Sequence, residues 1–223
     1  MIYYNKNLEK LVYNLKEMPF NYGTQGEIYK INNDKCIKVY YEYSTKIEPE
    51  IFELLRDLSL PGIYKLYELL YRNKNTQEVS GYTMKYYQPE IDNILDEPIE
   101  YTLHSVDILH KTAIALSEHN ILVSDRIPAN VILTNDGAVM IDMDYCIKSL
   151  SQGEALDVNI NNLLYMFKRL YQEGLKRKGY DINSEELNKY IESLFSFSKQ
   201  PAKILERRMC GAKTPMDLFY WRY

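Results

Sequence analysis

The sequence predicts an α+β fold in two lobes, a five-stranded antiparallel sheet with one helix followed by a mainly helical second half. Three observations point there. Short β-branched and aromatic runs, each bounded by Gly, Asn or Pro, fill the chain up to Tyr87. Apolar residues recur at helical spacing over much of the chain after residue 102. One hairpin signal, Val131-Ile-Leu133 and Val139-Met-Ile141 about Asn135-Asp136-Gly137, interrupts the helical half.

The 223 residues suffice for one domain, with a first lobe over about 1–87 and a second over about 88–223. Apolar residues make up 46% and charged residues 26%, the balance of an ordinary globular chain. A net charge of −4 excludes a general electrostatic attraction to nucleic acid or anionic membrane. Cys36, Cys146 and Cys210 are odd in number and lack metal-ligand spacing, which fits a reducing compartment better than a disulfide framework. Met1–Lys6 lacks a signal-peptide pattern, and no apolar run approaches membrane-spanning length. A cytoplasmic location is therefore expected. The 22 tyrosines, with many Asn, Lys and Ile, read as the mark of an AT-rich genome.

The elements follow in order. Leu8, Leu11, Val12 and Leu15 predict a helix over 6–16, ended by Pro19. Phe20 to Ile31 predicts two strands about a turn holding Gly23 and Gly26. Glycines there let backbone N–H groups approach phosphate oxygens, although paired glycines also serve any hairpin. Cys36–Tyr40 predicts the third strand, with Lys38 the charged residue between apolar neighbours. A helix with apolar stripe Ile51, Leu54, Leu55 and Leu58 follows, from Thr45 and Pro49 to Pro61-Gly62. It carries Glu48, Glu50 and Glu53, either a solvated face or candidate partners for a lysine. Ile63–Tyr71 and Gly81–Tyr86 complete the sheet, joined by a polar loop over Asn73–Ser80.

In the second half, Val106, Leu109, Ala113 and Leu116 predict a helix over 102–119. His104, His110 and His119 lie on or near it without a metal-spaced Cys or Asp. Ser151-x-x-Glu154 is a capping box, opening a helix with Ile160, Leu163, Leu164, Phe167 and Leu170 on one face. Gly174 to Gly179 closes it, and its basic Lys176, Arg177 and Lys178 complement a helix C-terminus or meet an acidic partner. Asn183-x-x-Glu186 opens a helix through Phe195, and Thr214-Pro215-x-Asp217 a last one with Leu218, Phe219 and Trp221.

The hairpin concentrates the chemistry. Asn130 stands at its entrance, Asp142 at its exit and Asp125 on the loop before it. Two carboxylates and an amide at one end of a ribbon suit a hard, oxygen-seeking cation such as Mg²⁺, and leave one carboxylate to orient or deprotonate a hydroxyl. Asx residues also cap ordinary turns.

Asp125-x-x-x-x-Asn130, a hairpin and Ile141-Asp142-Met143-Asp144 resemble the catalytic and metal-binding loops of the protein-kinase-like fold superfamily. The likeness spans nearly the whole chain and is to a compact, atypical, bacterial-type Ser/Thr kinase without a full activation segment. It implies ATP and Mg²⁺ as cofactors and a bilobal kinase-like fold. It makes Asp125, Lys38 and Asn130 catalytic, and makes Asn130, Asp142 and Asp144 candidate metal ligands. It assigns nucleotide contacts to Gly23, Gly26, Ile28, Lys38, Glu50, Met84, Lys85 and Tyr86. Lys38, twelve residues past Gly26, matches the phosphate-pairing lysine. Glu50 is its expected partner and Glu53 the second choice, although the family register falls on Ile51. Tyr86-Tyr87-Gln88-Pro89 would be the hinge whose backbone holds adenine, with Met84 behind it. Asp157 resembles the aspartate that buttresses the catalytic loop.

The departures are specific. Asn21 replaces the first loop glycine, and Val123-Ser124 replaces the usual His-Arg before Asp125. Ile127 stands where many protein kinases carry a lysine, beside Arg126. Asp144 replaces a glycine and either adds a carboxylate near the metal or caps the turn. Only 14 residues separate Asp142 from Asp157, too few for a regulated activation loop or a peptide platform. Transfer to a protein Ser or Thr hydroxyl is the expectation. The alternatives are an aminoglycoside- or choline-type small-molecule kinase and a nucleotide-binding pseudokinase scaffold.

Overall fold

Period-two alternation before Tyr87 builds a sheet, and helical periodicity after it builds two long helices. The computed structural model describes residues 3–4, 19–72, 78–125, 128–183, 185 and 189. Over these residues the protein is α+β, with three α-helices and a sheet of five antiparallel strands to which a short parallel strand adds at one edge. Its chain divides into two compact units, Met1–Tyr87 with Asp142–Cys146, and Gln88–Ile141 with Ile147–Tyr223. The expected helix over 6–16, residues 73–77, Arg126, Ile127, all but Lys189 of Glu186 to Phe195, Cys210 and the element after Thr214 lie outside the described residues. Among the described residues no helix is long and apolar enough to cross a membrane.

In the first unit the strands are β1 (Tyr3–Tyr4), β2 (Asn21–Tyr22), β3 (Gly26–Lys30), β4 (Lys35–Tyr40), β5 (Leu66–Tyr71) and β6 (Val79–Lys85). Their order is β1-β5-β6-β4-β3-β2, with β1 parallel to β5 and the other neighbours antiparallel. The central strand β4 is approached closely from both sides. A Cβ on Gly26 would sit 2.1 Å from the Val39 carbonyl oxygen, and one on Gly81 would sit 2.2 Å from that of Lys38. Only glycine lets these backbones come so near.

Register decides which side chains share a face. Ile28 and Tyr82 both lie opposite Lys38, and Met84 lies opposite Cys36. One face therefore carries Ile28, Cys36, Lys38, Tyr40, Tyr82 and Met84. The other packs Ile37 and Leu70 with Tyr29, Ile31 and Val39. Helix α1 (Pro49–Leu58) starts on a proline in its first turn and ends at Ser59 in the left-handed region. It buries Ile51, Phe52 and Leu55, so the inward stripe includes Phe52 in place of the expected Leu54 and Leu58. The Phe52 ring lies 5.9 Å from that of Tyr82, which ties the helix to the Lys38 face. Full burial of a Phe or Ile side chain contributes about 1.5–3 kcal/mol.

In the second unit helix α2 spans Ile99–Glu118, and strand β7 (Ile121–Val123) follows its end at Asn120, which adopts φ 56°. Strands β8 (Val131–Thr134) and β9 (Gly137–Met140) form the hairpin, with Thr134 opposite Gly137. Gly137 takes φ 115°, the position in this loop that needs a residue without a Cβ. Strand β10 (Cys146–Lys148) pairs with β7. Helix α3 (Gln152–Arg177) is capped by Ser151, whose hydroxyl accepts from the Glu154 N–H at 3.2 Å. The Glu154 carboxylate turns to the Ser149 hydroxyl at 2.7 Å, a variant of the expected capping box. Ala113 of α2 packs with Ile160 and Leu164 of α3 to form the core between the helices.

Helix α3 closes within the expected stretch from Gly174 to Gly179, although Gly174 itself lies inside it. A Cβ on Gly174 would lie 2.5 Å from Asn93 Oδ1 and 2.9 Å from Leu95. The helix ends at Arg177, followed by Gly179 at φ 85°. The basic cluster at this end is partly occupied, since Arg177 donates to the Asp92 carbonyl and Lys178 pairs with Asp96. Lys176 is exposed.

Candidate functional site

Strand β4 delivers Lys38 to the middle of the first unit, 3% exposed. An ammonium buried so deeply needs carboxylate partners, and two converge on it. Its Nζ donates to Asp142 Oδ1 at 2.6 Å and to Asp144 Oδ2 at 2.6 Å. These acids are not from the helix. Glu50 is exposed, and Glu53 pairs with Arg56. The inward stripe of α1 centres between Ile51 and Phe52, and at 3.6 residues per turn both glutamates point roughly 150° away from it. The expected Glu50 partnership is therefore corrected. The helix position nearest the family register, Ile51, is fully buried and apolar.

The two aspartates differ. Asp142 keeps 25% of its side chain exposed, while that of Asp144 is wholly enclosed. The second oxygen of Asp144 accepts from the Tyr40 hydroxyl at 2.6 Å. Tyr40 in turn accepts from the Ile47 N–H at 3.1 Å, just before α1. The Tyr64 hydroxyl accepts from the Met143 N–H at 3.4 Å and donates to Tyr82 at 2.9 Å. Gln25 donates to the Tyr145 hydroxyl. Residues 142–145 are thus bound to the sheet by several bonds within this unit. With all three groups ionised the cluster of one lysine and two aspartates carries a net charge of −1.

The titration behaviour follows from that geometry. Burial pushes the Asp144 carboxyl up to about 6, with the Asp142 charge adding to it, while Lys38 and Tyr40 hold it back. Burial alone would lower Lys38, but Asp144 and Asp142 more than offset this and raise it above its ordinary 10.5. Burial raises the phenols of Tyr64 and Tyr82 well above 10.0.

Asp142 adopts φ 60°, ψ 65°, the left-handed region a non-glycine residue seldom occupies. Such strain marks positions where placement of a side chain matters.

The second unit holds the other half of the expected chemistry. Asn130 is 8% exposed, and its Nδ2 donates to Asp125 Oδ2 at 2.8 Å. That orientation points Oδ1, an acceptor, away from Asp125. The Ile141 N–H donates to the Asn130 carbonyl at 2.8 Å, so the two ends of the hairpin are joined. The buttress behind Asp125 is not Asp157, which is exposed. Two buried asparagines on α3 serve instead. Asn159 accepts from the Val123 N–H at 2.9 Å and donates to the Ile121 carbonyl at 2.8 Å and the Ser117 hydroxyl at 3.1 Å. Asn162 donates to the Val123 carbonyl. Sequence reading passed over this pair, although two asparagines three apart within the apolar stripe of Ile160 and Leu163 were its signal.

The remaining expected contacts are placed as follows. Ile28 is half-buried beside Lys38, and Met84 is buried on the same face. Gly23 has open space where a Cβ would go, whereas Gly26 serves the approach to β4. Two N–H groups at the start of the hinge are already used, Lys85 donating to the Lys65 carbonyl and Tyr86 to the Asp34 carbonyl, each at 2.8 Å. Lys85 lies over the Tyr87 ring at 4.9 Å, and Tyr86 meets Phe20 edge-on at 5.4 Å. Lys85 and Tyr86 therefore do not offer backbone donors to adenine.

For Mg²⁺ the donor chemistry sorts the three candidate ligands. Asp142 and Asn130 each present an oxygen suited to a hard cation. Both oxygens of Asp144 are engaged, so its assignment as a metal ligand is corrected to that of a holder of Lys38. Among the described residues no three His, Cys, Asp or Glu side chains gather as a metal centre. Cys36 and Cys146 are buried free thiols.

No protein-family model matches the chain, and no curated protein matches it.

Proposed function

We propose that the chain is an ATP-dependent phosphotransferase of protein-kinase-like fold, its two units being the two lobes. The observation that carries this reading is Lys38, a buried strand lysine held by the strained, partly exposed Asp142. Phosphoryl transfer asks a protein mainly for charge and alignment. Lys38 would pair with phosphate oxygens. Asp142 and Asn130 are the proposed ligands of Mg²⁺, which would neutralise charge on the triphosphate. The net negative charge about Lys38 suits a cation there. Asp125, oriented by the Asn130 amide, would align the acceptor hydroxyl and accept its proton. The γ-phosphorus bond to the β-phosphate oxygen breaks, a bond to the acceptor oxygen forms, and ADP leaves.

A protein Ser or Thr hydroxyl is the first acceptor proposed. A small-molecule alcohol is the second reading, favoured by the short path from Asp142 to Gln152, which a 3₁₀ turn and β10 occupy. Labelled ATP offered with the protein alone, with a generic protein acceptor and with a panel of small alcohols tests both. Label on protein supports the first and label on an alcohol the second. Asp125→Asn is expected to lower transfer by roughly 10²–10⁴ while keeping nucleotide binding. Binding of ATP and Mg²⁺ without any transfer would favour a pseudokinase.

A further inference from the structure

Helix α1 contributes no carboxylate to the Lys38 cluster as described, yet Lys38 is held at two points. We propose that Asp144 is the positioning residue for Lys38, locked in place by the Tyr40 hydroxyl, so that the lysine is set by residues 142–145 and strand β4. This rests on the phosphotransferase reading only for what Lys38 would then do.

Three observations carry it. The Asp144 side chain is closed to solvent and spends one oxygen on Lys38 and the other on Tyr40. Tyr40 is itself fixed, 4% exposed and accepting from the Ile47 N–H. The backbone next to Asp144 is fastened at Met143 to Tyr64, which is 1% exposed. A carboxylate held at both oxygens on a pinned turn has little freedom to move. Asp142, more open, is the member of the pair whose hold on Lys38 a bound ligand can replace. The division of labour is therefore unequal, with Asp144 anchoring the ammonium and Asp142 facing ligand.

The test is competitive labelling of the full chain with an amine-reactive ester, read by mass spectrometry as Lys38 relative to Lys35 of the same strand. Asp144→Asn is nearly isosteric and removes the charge. It is expected to raise relative Lys38 labelling about tenfold, the scale of one lost charged hydrogen bond. Tyr40→Phe is expected to raise it less, in the same direction, and Glu50→Gln not at all. An unchanged thermal midpoint alongside the rise separates positioning from general loosening. If Asp144→Asn unfolds the chain, Tyr40→Phe decides. Wild-type labelling in the decisive variant, or a rise in Glu50→Gln, overturns the proposal. Protection of wild-type Lys38 by ATP with Mg²⁺ is read separately. Its absence sinks the phosphotransferase reading and leaves the anchor standing.

Discussion

Asp142 adopts a backbone conformation that glycine would take without cost, and it stays there because its carboxylate meets Lys38. Two substitutions separate these contributions. Asp142→Gly and Asp142→Ala both remove the acid, but only alanine keeps a Cβ in the left-handed region. The glycine variant is therefore expected to be more stable than the alanine variant by about 1 kcal/mol, measured by urea unfolding. Equal stabilities would mean that the backbone at this residue relaxes. The buried phenols give a pH prediction. Tyr64 and Tyr82 have folded values above their ordinary 10.0, and Lys38 lies above 10.5. In each case the folded state binds the proton more tightly than the unfolded state. Their contribution is complete below pH 10 and is lost as pH rises from there through the folded values. Unfolding free energy is expected to fall steeply above about pH 10, and Tyr82→Phe should flatten that fall. Stability independent of pH from neutrality to about 9.0, the ordinary value of the Cys36 and Cys146 thiols that burial also raises, followed by loss that steepens through the tyrosine range, is the signature to seek in urea titrations.

Strands, helices and their glycines carry the next predictions. Gly26 and Gly81 let β3 and β6 approach β4, so alanine at either must displace a backbone carbonyl. Each substitution is expected to cost more than about 1–3 kcal/mol, the usual scale of core overpacking. A neutral thermal shift for Gly81→Ala would contradict the close approach beside Lys38. In the second unit the Asn159 and Asn162 amides fix strand β7 from α3. Asn159→Leu keeps the branched outline but takes its hydrogen-bonding atoms from the Val123 N–H and Ile121 carbonyl. It is expected to lose about 1–3 kcal/mol and to speed amide exchange at Val123. Slow exchange at Val123 in that variant would show that the strand does not need the clamp. These elements also show what could be read beforehand. The five strands were legible because aromatic and β-branched runs sat between turn residues, as at Cys36–Tyr40. The inward stripe of α1 departs from the expected one because Phe52, next to Ile51, shares the buried face while Leu54 does not. That shift of stripe turns Glu50 away from the buried face on which Lys38 lies. Asp144 could not be found as its anchor, since nothing in sequence order signals that Tyr40 reaches a residue 104 positions away. Asp157 follows from analogy with a motif, whereas the polar break that Asn159 makes in an apolar stripe is the physical cue.

At the scale of the molecule, residues 142–145 belong with the first 87 residues although they follow the hairpin of the second unit. The sheet unit thereby contains both the lysine and the acids that hold it. An ammonium with two carboxylates in a nearly dry setting is stable only while each charge keeps an opposite partner. Removing Lys38 is therefore expected to destabilise the protein and also to abolish nucleotide binding, so the two effects must be measured together. Lys38→Arg keeps the charge and serves as the folded control, although its planar fork does not reproduce an ammonium. The proposed phosphotransferase must bind ATP through Lys38 with a divalent cation, and calorimetric titration of ATP into the full chain, with and without Mg²⁺, is the deciding measurement. Binding that requires Mg²⁺ and weakens at least about tenfold in Lys38→Arg, near 1.4 kcal/mol, is the predicted result. No binding to the folded wild type, or equal binding by the variant, would contradict it.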